Sequence, residues 1–171
     1  MNNVAFLDRD GVINVDIGYI WEKEKFIWKP DIELAIRLLN QYYKVIVVTN
    51  QGGIRKGLYT DLQLNRLHNW VNSELDKRNG AHIDAFYYCP HHNIDNCDCR
   101  KPKPGLLLEA IEDWDADLKT SFMIGDNEWD EKAAKSAGIE YYSVKKQYIE
   151  EFSILNLVTQ LLIEKQKVKS V

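Results

Sequence analysis

Short β-rich apolar runs alternate along the chain with stretches whose apolar residues recur at helical spacing. Val4 to Leu7 is the first such run; Ile32, Ala35, Ile36 and Leu39 then share one helix face, and Val45 to Val48 is the next run. Thr60-Asp61-Leu62-Gln63 has the form of a capping box, and it opens a helix whose Leu64, Leu67, Val71 and Leu75 form a stripe ending at Asn79-Gly80. Ile83 to Tyr88 predicts a third strand, Pro104 a first-turn residue of a helix carrying Leu107, Ala110, Ile111 and Trp114, Ser121 to Ile124 a fourth strand, and Glu128 to Ala137 a helix stopped by Gly138. Tyr141 to Val144 reads as a fifth strand, and a last helix spans about residues 149–165, with Phe152, Leu155, Val158 and Leu162 on one face. Strand–helix alternation of this kind predicts an α/β fold with one doubly wound, mostly parallel sheet covered on both faces.

A chain of 171 residues has the length of a single domain, taken here as 1–171, and 45% hydrophobic with 28% charged residues is the composition of an ordinary globule. A net charge of −4 argues against a nucleic-acid backbone or an anionic membrane surface as partner. The first residues have no leader pattern and no apolar run approaches ~18 residues, which predicts a cytoplasmic protein. The Lys-rich stretch Glu164 to Lys169 reads as a fraying helix end.

Ligands in such sheets bind at the carboxyl ends of the strands, so the residues leaving each strand matter most. The first strand runs into Asp8-Arg9-Asp10-Gly11, two carboxylates held close at the sheet edge, whose repulsion a bound Mg²⁺ would relieve; a solvated Asx-type turn is the alternative. The second ends in Thr49-Asn50-Gln51-Gly52-Gly53, a hydroxyl and two amides ahead of glycines that let backbone N–H groups approach an anion, although an ordinary turn looks similar. The fourth ends in Gly125-Asp126-Asn127 with Asp130 one turn on: oxygen ligands for a hard cation, or a helix cap.

All three cysteines fall in one loop, 89–101. Cys89, Cys97 and Cys99 with an imidazole make a closed four-ligand zinc set, structural in type. Pro90 fixes the turn between Cys89 and His91, which favours His91 as fourth ligand, with His92 as the alternative. A bound Zn²⁺ would steady the segment carrying Arg100 and Lys101.

Asp8-x-Asp10-Gly-Val-Ile, Thr49-Asn50-Gln51, Lys101 and Gly125-Asp126-x-x-x-Asp130 resemble, in order and strand placement, the four motifs of the haloacid dehalogenase-like phosphohydrolases, whose fold is Rossmann-like. Within that superfamily the chain resembles the small capless heptose-bisphosphate and histidinol-phosphate phosphatases, whose zinc loop has the form Cys-x-His…Cys-x-Cys-Arg-Lys-Pro. The resemblance covers roughly residues 4–145. It implies Asp8 as nucleophile, Asp10 as acid and base, Thr49 and Lys101 as stabilisers of the transferring phosphoryl group, and Mg²⁺ held by Asp8, the Asp10 carbonyl and Asp126. It implies Asp16, Gly18, Tyr19, Asn50, Gln51 and Arg100 as substrate contacts. Arg55 and Lys56 are either helpers for a second phosphate or a solvated basic loop.

Only 38 residues lie between Asp10 and Thr49 and 51 between Thr49 and Lys101, spans already filled by predicted elements, so no cap domain is expected. Specificity then falls to loops, including Asp16 to Trp28, where Trp21 and Trp28 either anchor the loop or seat a sugar. The first loop fits the heptose branch, whereas five residues between His91 and Cys97 make a zinc loop as short as that of the histidinol-phosphate enzymes. Asn127 stands where some relatives place a substrate-contacting lysine. The leading expectation is removal of the C7 phosphate of D-glycero-D-manno-heptose 1,7-bisphosphate, in the biosynthesis of nucleotide-activated heptose for lipopolysaccharide or a surface glycan, by a monomer with that sugar bisphosphate as its partner. The rivals are histidinol-phosphate phosphatase, a polynucleotide end phosphatase, and an inactive zinc-stabilised interaction module. An inactive module would have no need of Asp8, Asp10, Thr49, Lys101 and Asp126 together.

Overall fold

The structure, a computed structural model, describes residues 1–145 and 153–169. Five strands, β1 (Val4–Leu7), β2 (Lys44–Asn50), β3 (Ala85–Cys89), β4 (Phe122–Gly125) and β5 (Glu140–Ser143), form one sheet in the order β3-β2-β1-β4-β5, every pairing parallel. Strand direction therefore sends all five carboxyl ends to one edge. The order reverses at β1, so the chain end leaving β1 lies next to the one leaving β4, the position where open α/β sheets bind ligands.

Side chains of the central strands alternate between two apolar cores. Ala5, Leu7, Val45 and Val47 pack on one face with helices α1 (Ile32–Leu39), α2 (Asp61–Asn79) and α5 (Ile154–Lys169). Val4, Phe6, Ile46 and Val48 pack on the other with α3 (Gly105–Asp113) and α4 (Glu128–Ala137). A one-residue slip of β1 would exchange these two sets, so burial on both faces fixes the register. The four residues predicted to share a face of α1 are all buried. The Thr60–Gln63 capping box forms, and Gly80, at φ 64°, caps the far end of α2.

Several boundaries shift from the pattern, most by a residue or two, and two of the shifts have a side-chain cause. The third ladder starts at Ala85 rather than Ile83, because the Asn72 side chain takes both backbone groups of Ile83: its Oδ1 accepts from the N–H (2.7 Å) and its amide donates to the carbonyl (2.9 Å). The last helix begins after Ser153, whose hydroxyl accepts from the N–H of Leu155 (3.1 Å), and it runs to Lys169, past the expected end near 165. Phe152 and the predicted helical turn before it lie outside the described residues. No helix among the described residues is long and apolar enough to cross a membrane.

Candidate active site

Four strand ends meet over an open cleft of ≈ 410 Å³ at the β1/β4 switch point. Asp8 follows β1 directly, and its Oδ1 accepts from the N–H of Arg9 (2.7 Å) and pairs with Lys101 Nζ (2.9 Å). Lys101, 3% exposed, also reaches Asp130 (2.6 Å) and donates to the carbonyl of Val48 (2.8 Å). One ammonium thus sits between two buried carboxylates. Burial works against that ammonium, but Asp8 and Asp130 outweigh it and hold its pKa above the ordinary value. Burial pushes the Asp8 carboxyl up to about 7; Lys101 pulls it down, and Asp130 and Asp10 push with the burial.

Asp8, Asp126 and Asp130 bring carboxylate oxygens within 4.8 Å of one another. Two glycines make that gathering possible. A Cβ on Gly11, whose φ is +88°, would fall 2.3 Å from Asp126 Oδ2, and one on Gly125 would fall 2.5 Å from the Asp130 side chain. Three hard oxygen donors with one lysine among them fit a divalent cation such as Mg²⁺. Asp126 is reached from outside by Lys145 (2.9 Å) and on its other oxygen by the Asn127 amide (2.8 Å).

The Asp10 carboxylate faces another set of partners. Arg9, 1% exposed, donates to both its oxygens through Nη2 (2.9 Å each), Asn14 donates to Oδ1 (2.9 Å), and Gln51 donates to Oδ2 (2.9 Å). His68 lies against Arg9 with its ring stacked on Phe86 at 4.3 Å, and burial, followed by the Arg9 charge, pulls its imidazole down to about 3.

The cysteine-rich loop closes beside this cleft. Cys89, His91, Cys97 and Cys99 converge, and His91 supplies the imidazole; His92 instead uses its N–H on Asp95 (2.8 Å). Five of the six donor–donor separations lie between 3.2 and 3.7 Å. A tetrahedron built on ~2.3 Å zinc–sulfur bonds has edges of about 3.8 Å, only slightly longer than these separations, so the donors fit that ion in kind and nearly in spacing. Arg100 is held to the loop from both ends of its guanidinium, donating to Asn93 Oδ1 (2.6 Å) and to the His91 carbonyl (2.9 Å). Asn50 clamps the next residue, exchanging hydrogen bonds with both backbone groups of Lys101 (3.0 and 3.1 Å).

Of the residues predicted for catalysis, substrate or magnesium, all line the cleft except Gln51. Gln51 is 2% exposed and spends its amide inside the protein. Trp28 packs on Phe26 and Trp70 (4.8 Å between the Phe26 and Trp28 rings), and Trp21 stacks on Tyr59, so both tryptophans anchor the first loop. Arg55 pairs with Asp95 (3.2 Å) and Lys56 with the Tyr19 hydroxyl (2.5 Å). The sequence reading missed Trp129 and Lys145 on the cleft wall and the buried Arg9. Arg9 had a signal, its place between two site carboxylates; Lys145 had none, being brought in from the end of a distant strand.

A family model described as haloacid dehalogenase-like hydrolase matches residues 3–138. The chain belongs to that family. It is 41% identical over 171 residues to the D-glycero-beta-D-manno-heptose-1,7-bisphosphate 7-phosphatase of Rhodopseudomonas palustris, covering 95% of this chain and 92% of that one. It is 41% identical over 140 residues to the enzyme of the same name from Helicobacter pylori, covering 81% of each. The solved D,D-heptose 1,7-bisphosphate phosphatase of B. bronchiseptica, complexed with magnesium and phosphate, superimposes with a TM-score of 0.84 at 30% identity, covering 95% of this chain and 99% of that one. The fold is thus the haloacid dehalogenase-like one expected, with no cap evident among the described residues.

Proposed function

We propose that this hydrolase removes the C7 phosphate of D-glycero-β-D-manno-heptose 1,7-bisphosphate through an aspartyl-phosphate intermediate. The observation that carries the chemistry is the buried Asp8–Lys101–Asp130 cluster beside Asp126 at the switch point. The β anomer is supported by the names of the relatives, which this chain matches over most of its length.

Asp8 attacks phosphorus, its carboxylate forming the new P–O bond as the sugar oxygen departs. Asp10 gives that oxygen a proton and afterwards takes one from the water that cleaves the acyl phosphate. Lys101 and Thr49 neutralise and hold the oxygens of the transferring group, work that is mostly positioning and electrostatics. Asp8, Asp126 and the Asp10 carbonyl would hold Mg²⁺, with Asp130 close by. When bound, that ion supplies the charge that keeps a carboxyl poised near 7 ionised at neutral pH and screens it from the phosphoryl oxygens.

Asp16, Gly18, Tyr19, Asn50 and Arg100 form the wall where the sugar and its second phosphate would lie, with Arg100 as the bidentate anion donor. Gln51 acts from behind that wall. The Cys₃His set would hold Zn²⁺ as a structural ion, with no open position for chemistry. We infer a monomer working in the cytoplasm, where charge retains phosphorylated sugars. The test is phosphate release by zinc-replete protein with Mg²⁺, comparing kcat/KM for the β and α anomers and for histidinol phosphate. A preference for the β anomer of ~100-fold, about 2.7 kcal/mol of differential transition-state binding, supports the assignment; comparable low rates on all three overturn it.

A further inference from the structure

Tyr59 stands in the loop between β2 and α2, 3% exposed, and the phosphatase reading gives it no task. Its hydroxyl donates to Gln51 Oε1 at 2.6 Å. The Gln51 amide then donates in two directions, to Asp10 Oδ2 (2.9 Å) and to Thr49 Oγ1 (3.0 Å). An amide can sit in a pocket either way round, and only one way serves this site. Turned over, it would set its carbonyl oxygen against the Asp10 carboxylate. The phenol donor and the carboxylate acceptor therefore select the same orientation from opposite ends.

The ring that carries the hydroxyl is itself fixed. A Cβ on Gly53 would fall 2.2 Å from Tyr59 Cε1 and 2.9 Å from Tyr19 Cδ1, so both rings pass over that glycine. Trp21 stacks on Tyr59 with centroids 6.4 Å apart and planes at 25°. The first loop and the catalytic edge of β2 thus meet at one phenol. We propose that Tyr59 is a positioning residue that acts through Gln51, setting the direction of the Asp10 carboxylate and, secondarily, the Thr49 hydroxyl. This rests on the reading of Asp10 as acid and base given above.

Leaving groups separate that role from a merely structural one. A sugar alkoxide cannot depart without a proton, whereas p-nitrophenolate can, so loss of Asp10 alignment weighs on the sugar ester and much less on p-nitrophenyl phosphate. Tyr59→Phe keeps the ring and its packing and removes only the donor. Its kcat/KM on the heptose bisphosphate, which reports the step that expels the sugar oxygen and not the later hydrolysis common to both esters, is expected to fall about fivefold, the scale of one neutral hydrogen bond, with less than about a twofold loss of kcat/KM on p-nitrophenyl phosphate. In a Gln51→Leu background the same substitution is expected to add nothing, since its only route is gone. No change in Tyr59→Phe, equal losses on the two esters, or a full further loss in the Gln51→Leu background would each overturn the proposal. Should Gln51→Leu fail to fold, the ratio of losses in Tyr59→Phe decides alone. A wild-type enzyme inactive on the heptose bisphosphate but active on a hexose phosphate refutes the substrate assignment only, and the leaving-group ratio is then read on that hexose phosphate. A wild-type enzyme inactive on every ester overturns both.

Discussion

Two donor sets lie side by side in this protein and are built on opposite plans. Asp8, Asp126 and Asp130 come from the ends of two adjacent strands and the helix after them, each fixed by backbone that the cores already hold. Cys89, His91, Cys97 and Cys99 come largely from a loop whose only regular element is a three-residue 3-10 turn. Lys101 already places a cation among the carboxylates. Among the described residues no lysine or arginine pairs with the sulfurs in that way, and burial and then the neighbouring thiols push Cys99 up. On the proposed reading, the fold alone positions the carboxylates for a metal, whereas the Cys₃His loop would depend on its metal to stay in place.

The sharpest test of the first half is Asp8→Asn. It should abolish phosphate release from both the sugar ester and p-nitrophenyl phosphate, by about 10⁴-fold or more, while zinc content measured by metal analysis stays at one per chain. Zinc loss in that variant would show that the two sets are not independent.

Next in size is Lys101→Met. It strands Asp8 and Asp130, both buried at the floor of the cleft, and breaking a buried pair by removing one partner costs ~3–5 kcal/mol. Urea unfolding of magnesium-free, zinc-replete protein should show that loss, and added Mg²⁺ should restore part of it. No loss without Mg²⁺ would mean that the fold tolerates the bare carboxylates.

How far this contrast could be read from sequence depends on where the information is stored. Asp8, Thr49 and Asp126 follow strands that period and composition reveal, so their convergence could be read from topology alone. The Cys₃His set declared itself by residue type. Gln51 did not: its motif placed it at a strand end, but nothing local told that its amide turns inward to Tyr59, a partner eight residues on. Lys145 reaches Asp126 from β5, a contact set by the strand order, which no local pattern encodes. Asn72 and Ser153 moved element boundaries by side-chain capture of backbone groups, a competition that apolar periodicity cannot register.

Smaller effects are expected from the second set. Cys97→Ser should lower the melting temperature and, by freeing the loop that anchors Arg100 through the His91 carbonyl, raise KM for the bisphosphate about tenfold, the worth of one charge-assisted hydrogen bond. Turnover of p-nitrophenyl phosphate should stay within about threefold of wild type. A collapse of both would place the zinc loop in the scaffold of the chemistry itself.

The smallest effect concerns His68. Its folded pKa of about 3 lies below the ordinary 6.5, so between those values the unfolded chain binds a proton that the folded chain does not. Stability conferred by the neutral ring is complete above about 6.5 and drains away as pH falls toward 3. His68→Asn should therefore lose less melting temperature than wild type between pH 7 and pH 5, with kcat at neutral pH nearly unchanged. An equal loss would assign the acid sensitivity to other groups.

Arg100 and Lys101 are consecutive residues that answer to different anchors, the arginine to the zinc loop and the lysine to Asn50 and two buried carboxylates. The peptide bond between them is a seam. On the proposed reading, insertions or substitutions at 92–96 would re-aim the anion-binding arginine without reaching the phosphoryl-transfer groups behind it. A lineage carrying this arrangement can change which phosphate ester it admits by rewriting a few loop codons, while the machinery that breaks the P–O bond passes unaltered from one substrate to the next.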